Sequence, residues 1–201
     1  MRTRWAPEPS DAGPRRLLVC APSLGRERLR SMVELYFDFI WRSLRRLGVP
    51  AAELDDAAQQ VFWTASRKLE RIDASKERAF LFGTAVRVAS DARRSRRRRR
   101  ETVAEEPPEQ LDEGAGPHEV LEQKQLLEDL DEVLTEMPIE QSAVFVLIEI
   151  EELEAAQAAA LLDIPVGTVA SRLRRARREF RDRLERKTKR EHPEGRRRAV
   201  P

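Results

Sequence analysis

The sequence predicts an all-α fold: two small helical bundles joined by an acidic flexible linker, the second bundle containing a helix-turn-helix. Three observations predict it. Apolar residues recur at three- and four-residue steps through most of the chain, the period of an amphipathic helix. Charged residues make up 37% of the 201 residues and aromatic residues only 5%, so each core must be small and mainly aliphatic. Glycine and proline interrupt the periodic segments at 48–50, 137–138 and 163–165.

The bulk composition excludes several classes of protein. Cys20 is the only cysteine, which excludes a disulfide framework and a thiolate zinc cluster and favours a reducing, cytoplasmic setting. No apolar run approaches the roughly 20 residues needed to span a bilayer, so no membrane association is expected. His118 and His192 are the only histidines, and the sequence contains no P-loop or glycine-rich nucleotide fingerprint. We therefore expect a protein that is not an enzyme and that needs no cofactor or metal.

Charge is distributed in blocks, although 38 Lys and Arg against 36 Asp and Glu leave a net charge of only +2. Residues 1–25 contain four prolines and no periodicity, and we predict a disordered leader. Residues 26–100 form the first bundle, with helices from about Arg26 to Gly48, Ala51 or Glu53 to Leu69, and Arg78 to Arg94.

The second predicted helix has an outward face that suits protein docking. An acid, two amides and a tryptophan follow one another there, namely Asp56, Gln59, Gln60 and Trp63. Exposed aromatic anchors contribute much of the binding energy at protein interfaces. The alternative is that Trp63 packs against a neighbouring helix.

The third predicted helix combines aromatic residues with a strongly cationic end. Phe80 and Phe82 precede seven arginines, Arg93, Arg94 and 96–100, and Phe82 is not clearly assigned to either face. Rings that stack on bases, followed by guanidinium groups that hold phosphates, are typical of single-strand binding. The alternatives are core filling for the phenylalanines and a solvated tail for the arginines.

Residues 101–121 are acidic, contain no Lys or Arg, and are interrupted by proline and glycine, so we predict a linker. It either occupies a channel built for nucleic acid or serves as a solubilising spacer. Residues 122–186 form a second bundle of four helices. The remaining residues, 187–201, form a basic tail that is expected to fray.

The second bundle ends in a helix-turn-helix pattern. An alanine-rich run ends at Leu162, Asp163-Ile164-Pro165 breaks it, and a second helix starts there with an apolar stripe that includes Val169, Ala176 and Phe180. The opposite face carries Thr168, Ser171, Arg172, Arg174, Arg175 and Arg178. These residue types contact phosphates and guanine edges in the major groove, which favours duplex DNA binding. The alternative is a helical hairpin whose arginines form a solvated face.

The segment from Ile164 to Val169, followed by Ser171-Arg172-Leu173, resembles the promoter-binding domain of bacterial extracytoplasmic-function (ECF) sigma factors, which carry a close variant of IPxGTVKSRLxRAR. Two departures are Ala170, where the family usually has lysine, and Glu154, where serine or threonine normally caps the first helix. Loss of that cap is expected to cost about 1 kcal/mol locally.

The first bundle also resembles this family. The segment 55–62, DDAAQQVF, is similar to the family's EDLVQEVF-like segment, which docks on the clamp helices of the largest RNA polymerase subunit. The resemblance implies docking by Asp56 and Gln59. Residues 80–85 with the following arginines are similar to the segment that engages the downstream promoter element during strand opening. The resemblance therefore implies that Phe80, Arg87, Arg93 and Arg94 lie in the region that opens the DNA.

The resemblance implies a transcription initiation factor that binds core RNA polymerase, directs it to specific promoters and assists strand opening. Its partners would be the polymerase core, promoter DNA and, by family expectation, an inhibitory anti-sigma factor. The alternatives are a stand-alone helix-turn-helix regulator and an interaction protein whose arginine-rich helices bind acidic partners. The docking face and the downstream-element arginines favour the transcription initiation factor over both alternatives, because a stand-alone repressor needs neither feature.

Overall fold

The computed structural model describes residues 21–102 and 118–191. The regular structure of these residues is helical, which confirms the predicted fold class. Short 3₁₀ turns flank the second helix and precede the third, and a π-helical turn over Val146–Ile150 follows the fifth. The α-helices are α1 Ala21–Arg46, α2 Leu54–Lys68, α3 Glu77–Thr102, α4 His118–Glu136, α5 Ile139–Phe145, α6 Ala155–Leu162 and α7 Val166–Glu191.

Several helices are longer than the sequence pattern predicts. Helix α1 begins at Ala21, inside the predicted leader, and α4 begins at His118, inside the predicted linker. Helix α3 continues to Thr102 rather than ending near Arg94, because arginine is a good helix former and no proline follows before Pro107. Helix α7 likewise continues into the predicted tail. The rest of the predicted leader, linker and tail lies outside the described residues.

Helices α1, α2 and α3 enclose the core of the first bundle. Phe82 is fully buried and its ring centroid lies 5.7 Å from that of Phe39. The residue that the sequence did not assign to a face is therefore one of the largest side chains of this core. The other fully buried large side chains of the bundle are Met32, Ile40, Leu44, Leu47, Leu54, Val61 and Leu81.

The second bundle has a smaller core of its own between α4, α5 and α7. Its buried residues are Val133, Leu134, Met137, Phe145, Val146 and Ala176. The rings of Phe145 and Phe180 stack with their centroids 4.7 Å apart, and this contact fixes α7 against the end of α5. Salt bridges from Lys187 to Asp129 and Glu132 join the far ends of α7 and α4.

The two bundles also pack against each other, which the sequence does not predict. Buried residues of α5, α6 and α7 belong to the same apolar cluster as the core of the first bundle, with α6 lying against α3. At the edge of this interface Asp131 of α4 accepts hydrogen bonds from Arg45 and Arg46 of α1. Arg42 of α1 pairs with Glu151 at 3.4 Å. Apolar burial and ion pairs therefore hold the bundles together in this arrangement.

Gly48 allows the end of α1 to approach α4 closely. Its φ of +87° is the left-handed conformation in which glycine commonly ends a helix, and the amide of Val49 donates back to the carbonyl of Leu44. A Cβ at Gly48 would lie only 2.6 Å from Oγ1 of Thr135. The glycine is thus required both by its conformation and by the neighbouring helix.

We predict that Phe82→Ala lowers the free energy of unfolding by about 3–5 kcal/mol, because it leaves a cavity in a packed core. Urea denaturation followed by circular dichroism measures the change. Leu35→Ala is the control: Leu35 is 70% exposed on α1, and its loss should change stability by no more than about 0.5 kcal/mol. Equal effects of the two substitutions would contradict the assignment of Phe82 to the core.

Candidate nucleic-acid interface

The turn between α6 and α7 is built from a left-handed residue and a proline. Asp163 has φ +52°, and the amide of Ile164 donates to the carbonyl of Ala159 at 3.1 Å, which closes the end of α6. The carbonyl of Pro165 then accepts from the amides of Thr168 and Val169, so Pro165 immediately precedes the first turn of α7. This geometry confirms the predicted break and restart of the chain.

The start of α6 shows how the missing serine or threonine cap is replaced. The backbone amide of Glu154 donates to Oε1 of Gln157 at 2.9 Å. One of the groups exposed at the beginning of the helix is therefore satisfied by a side chain three residues along, as in a capping box. The E-x-x-Q spacing of Glu154 and Gln157 is the sequence signal that could have identified this cap.

The apolar stripe of α7 determines which face is presented to solvent. Val169 and Ala176 are fully buried, and Phe180 packs on Phe145. The side chains of Arg174, Arg175 and Arg178 are exposed on the other side, as the sequence predicts. An exposed row of guanidinium groups on the second helix of a helix-turn-helix is suited to contact with the phosphates and base edges of duplex DNA.

The other three predicted residues of this face are only partly exposed. The hydroxyl of Ser171 donates to the carbonyl of Thr168 at 2.9 Å, and Arg172 is half-buried. Two arginines that were not predicted extend the same surface, Arg177 and Arg181, which line a shallow groove with Arg174 and Arg178. Arg177 pairs with Glu149 at 2.7 Å. Their three- and four-residue spacing from Arg174 and Arg178 was the signal that could have identified them.

In the first bundle, Phe80 and Arg87 lie on one side of α3, facing an open groove of about 970 Å³. The opposite wall of the groove comes from α6, including Gln157 and Leu161. Arg87 is exposed, Phe80 is half-buried against the core, and Arg94 is exposed further along α3. The groove therefore lies between α3, which the sequence associates with the downstream promoter element, and the helix-turn-helix, which it associates with the upstream element.

Arg93 is placed differently from the expectation. Its guanidinium donates to three backbone carbonyls, those of Leu47 at 2.6 Å, Met137 at 2.8 Å and Leu134 at 2.9 Å. Burial lowers the pKa of Arg93 to about 10, opposed by the nearby carboxylate of Glu140, so the group remains charged at neutral pH. In this arrangement Arg93 is half-buried and its guanidinium joins the two bundles.

The predicted docking residues lie together on the outer face of α2. Asp56, Gln59 and Gln60 are exposed, and Trp63 has 64% of its surface exposed. The alternative in which Trp63 packs against a neighbouring helix is therefore wrong for this structure. An exposed tryptophan costs solvation free energy unless a partner covers it, so this face has the composition of a protein interface.

No helix in the described ranges 21–102 and 118–191 is long and apolar enough to cross a membrane. Nor do these ranges contain a cluster of three or more potential metal-binding side chains.

Family comparisons assign both bundles. Residues 32–99 match sigma-70 region 2, and residues 127–180 match sigma-70 region 4. The first match spans the core of the three-helix bundle, and the second spans the helix-turn-helix together with the second half of α4. The chain thus belongs to the sigma-70 family.

Comparison with whole proteins narrows this assignment. The chain is 28% identical over 154 residues to the ECF RNA polymerase sigma factor SigE of Mycolicibacterium smegmatis, a match that covers 76% of this chain and 60% of SigE. It is 24% identical over 168 residues to the ECF RNA polymerase sigma factor SigW of Bacillus subtilis, covering 79% of this chain and 90% of SigW. Within the sigma-70 family the chain is a member of the ECF group.

Two solved structures share the fold. CnrH, in complex with the cytosolic domain of CnrY, superimposes with a TM-score of 0.59 at 24% identity, over 85% of this chain and 96% of CnrH. The sigma factor RpoE of Bartonella quintana, in complex with the anti-sigma factor NepR, gives a TM-score of 0.59 at 20% identity, over 78% and 96% of the two chains.

Gly167 provides a stability test at this interface. It lies in the first turn of α7, and a Cβ added there would meet no atom within 4 Å. Gly167→Ala should therefore raise the free energy of unfolding by roughly 0.5–1 kcal/mol, because alanine loses less backbone entropy in a helix. Thermal unfolding measures it. A destabilised variant would mean that the first turn of α7 is more crowded than this structure indicates.

Proposed function

We propose that this chain is a transcription initiation factor that binds core RNA polymerase, directs it to specific promoters and assists strand opening. The observation that carries the proposal is the presence of sigma-70 regions 2 and 4 in one chain, with the basic face of α7 exposed. Two separate DNA-contacting regions on one polymerase-bound subunit would select two promoter elements at a fixed spacing.

Recognition of the upstream element is assigned to α7. The proposed contacts are Thr168, Ser171, Arg172, Arg174, Arg175 and Arg178. An arginine can bind O6 and N7 of guanine with two hydrogen bonds, whereas contacts to phosphates fix the position of the helix without reading sequence. Because Ser171 already donates to a backbone carbonyl, its oxygen is left to accept a hydrogen bond.

Polymerase docking is assigned to the exposed face of α2. Trp63 would provide the apolar anchor, and Asp56, Gln59 and Gln60 would supply polar contacts around it. Interfaces of this kind derive most of their binding energy from a few buried aromatic residues, with a polar rim that excludes water. The partner surface proposed from the family resemblance is the pair of clamp helices of the largest polymerase subunit.

Strand opening is assigned to α3. Phe80 would stack on an unpaired base while Arg87 and Arg94 neutralise the adjacent phosphates, and Arg93 would join them in a different arrangement of the bundles. Capture of unpaired bases favours the open promoter by binding free energy alone.

The chain would therefore act without a cofactor, as a non-catalytic subunit in the cytoplasm. An anti-sigma factor is a proposed regulator, since the sigma factor RpoE of Bartonella quintana was solved in complex with the anti-sigma factor NepR.

Run-off transcription tests the proposed function. Bacterial core RNA polymerase is mixed with the full chain and a fragmented genomic library, and transcript starts are mapped with and without the chain. New starts that share two sequence elements at constant spacing are expected. If the chain binds DNA fragments but yields no transcript with core polymerase, the second candidate, a stand-alone DNA-binding regulator, replaces the first.

We predict that Arg172→Ala or Arg175→Ala weakens binding to the upstream element by about 1–3 kcal/mol if the arginine reads a base. The measurement is a gel-shift titration with duplexes that the wild-type chain selects from a randomised library. Arg186→Ala is the matched control, since Arg186 is also an exposed arginine of α7 but lies three to four turns further along. Equal losses for all three variants would indicate a purely electrostatic effect.

We predict that Trp63→Ala weakens binding to core polymerase by about 2 kcal/mol or more, because it removes the aromatic anchor. Fluorescence anisotropy of the labelled full chain with purified core enzyme gives the affinity. Leu35→Ala, which removes an equally exposed apolar side chain from α1, should leave the affinity unchanged. Trp63→Ala with wild-type affinity would exclude this face of α2 from docking.

A further inference from the structure

A second, smaller groove adjoins the groove that contains Phe80 and Arg87. It has a volume of about 670 Å³ and is formed by the last turn of α2 and the 3₁₀ turn Leu69–Arg71 that follows it. Trp63 contributes to its wall. The side chain of Arg71 lines both grooves, so the two surfaces are continuous through this one residue.

The described residues that line the smaller groove carry an excess of positive charge. Arg67, Lys68 and Arg71 are exposed, and Glu70 is the only carboxylate among these lining residues. In the part of the chain that the structure describes, none of the three cations forms a salt bridge. By contrast, carboxylates pair with Arg28, Arg30, Arg42, Arg45, Arg46 and Arg99. The fold therefore leaves the cations of the smaller groove available to a polyanion.

The backbone that carries Arg71 is held in place by Arg28 of α1. The guanidinium of Arg28 donates to the carbonyl of Leu69 at 3.2 Å and to that of Ile72 at 2.6 Å. It also pairs with Glu77 at 2.7 Å. These contacts fix the turn on both sides of Arg71, so binding at this position requires less ordering of the chain.

A row of cations that continues from an aromatic ring suits a single nucleic-acid strand. Proteins that bind single strands combine a basic groove, which follows the phosphates, with rings on which bases stack. Phe80 and Arg87 supply these two kinds of group in the larger groove. The three cations of the smaller groove extend the row of phosphate-binding groups in one direction, toward the end of α2.

We propose that Arg67, Lys68 and Arg71 bind the phosphates of the single strand that Phe80 captures, where this strand continues past α3. The inference rests on the function proposed above and extends it, because the strand contact then reaches the end of α2. Trp63 keeps its proposed role in polymerase docking. Since Trp63 lines the same groove, the strand would leave the chain at the edge of the polymerase interface.

The test compares two variants of the full chain that lose the same charge. The groove variant carries Arg67→Gln, Lys68→Gln and Arg71→Gln. The control variant carries Arg30→Gln, Arg186→Gln and Lys189→Gln, at exposed positions of α1 and α7. Glutamine is a good helix former, and surface ion pairs such as those of the control contribute little stability, so both variants should fold. Circular dichroism checks their helix content.

Fluorescence anisotropy with labelled oligothymidylates of about 4 and about 12 nucleotides, with and without core RNA polymerase, measures strand binding. The groove variant should bind the longer oligonucleotide at least about tenfold more weakly than the wild-type chain, because three charged contacts are lost. Its slope of log affinity against log salt concentration should be less steep by about 2, since each phosphate contact on a single strand contributes about 0.7. The shorter oligonucleotide can occupy the larger groove alone, so its affinity should change little. The control variant should match the wild-type chain with both oligonucleotides.

Three results would overturn the inference. The first is wild-type affinity of the groove variant for the longer oligonucleotide, and the second is an equal loss in the control variant, which indicates a general effect of charge. The third is an equal loss with both oligonucleotides, which indicates a separate site rather than a continuation of the strand.

The affinity of the groove variant for core polymerase separates strand binding from protein docking. It should equal that of the wild-type chain. If the groove variant instead binds polymerase more weakly and the longer oligonucleotide as before, an acidic segment of the polymerase occupies the smaller groove and the inference is wrong. If the wild-type chain binds neither oligonucleotide, alone or with core polymerase, the proposed strand opening itself fails.

Discussion

The arrangement of this protein depends on one guanidinium group. Arg93 donates to carbonyls at the ends of two helices from different bundles, and so links both helix ends through one side chain. Burial of a cation is costly unless hydrogen bonds replace its hydration, and three short bonds to carbonyls do so here. The pKa of Arg93 is nevertheless lowered to about 10, because burial still disfavours the charged form. The position of α4 beside α1, and of α6 beside α3, is consistent with this anchor.

The distribution of charge follows from the same packing. Three arginines of α1 at the interface are paired with carboxylates, Arg42 with Glu151 and both Arg45 and Arg46 with Asp131. Arg174, Arg175 and Arg178 on the outer face of α7 are instead exposed to solvent. A chain with a net charge of only +2 can therefore present a concentrated basic surface, because its acidic residues neutralise arginines elsewhere. Local charge density, rather than net charge, attracts a polyanion at short range.

Local patterns predicted the helices, the turn at Asp163 and the exposed faces of α2 and α7, because periodicity and helix breakers act within a few residues. Phe82 and Arg93 were harder to place for a different reason. Either face of α3 could have accepted Phe82, and an arginine followed by more arginines is typical of a solvated or DNA-binding end. Only the approach of α4, more than 40 residues away, determines that Arg93 is internal. Pairing between bundles leaves no periodic signal in the sequence.

The length of α3 has a mechanical consequence. Its 26 residues form an unbroken rod of about 39 Å that contains no proline, with Phe80 near one end and the arginine run at the other. Leu81, Phe82 and Ala89 hold this rod in the core of the first bundle, so Phe80 and the arginine run are kept at a fixed separation along the helix. A single stretch of nucleic acid that touches both ends must therefore span that fixed distance.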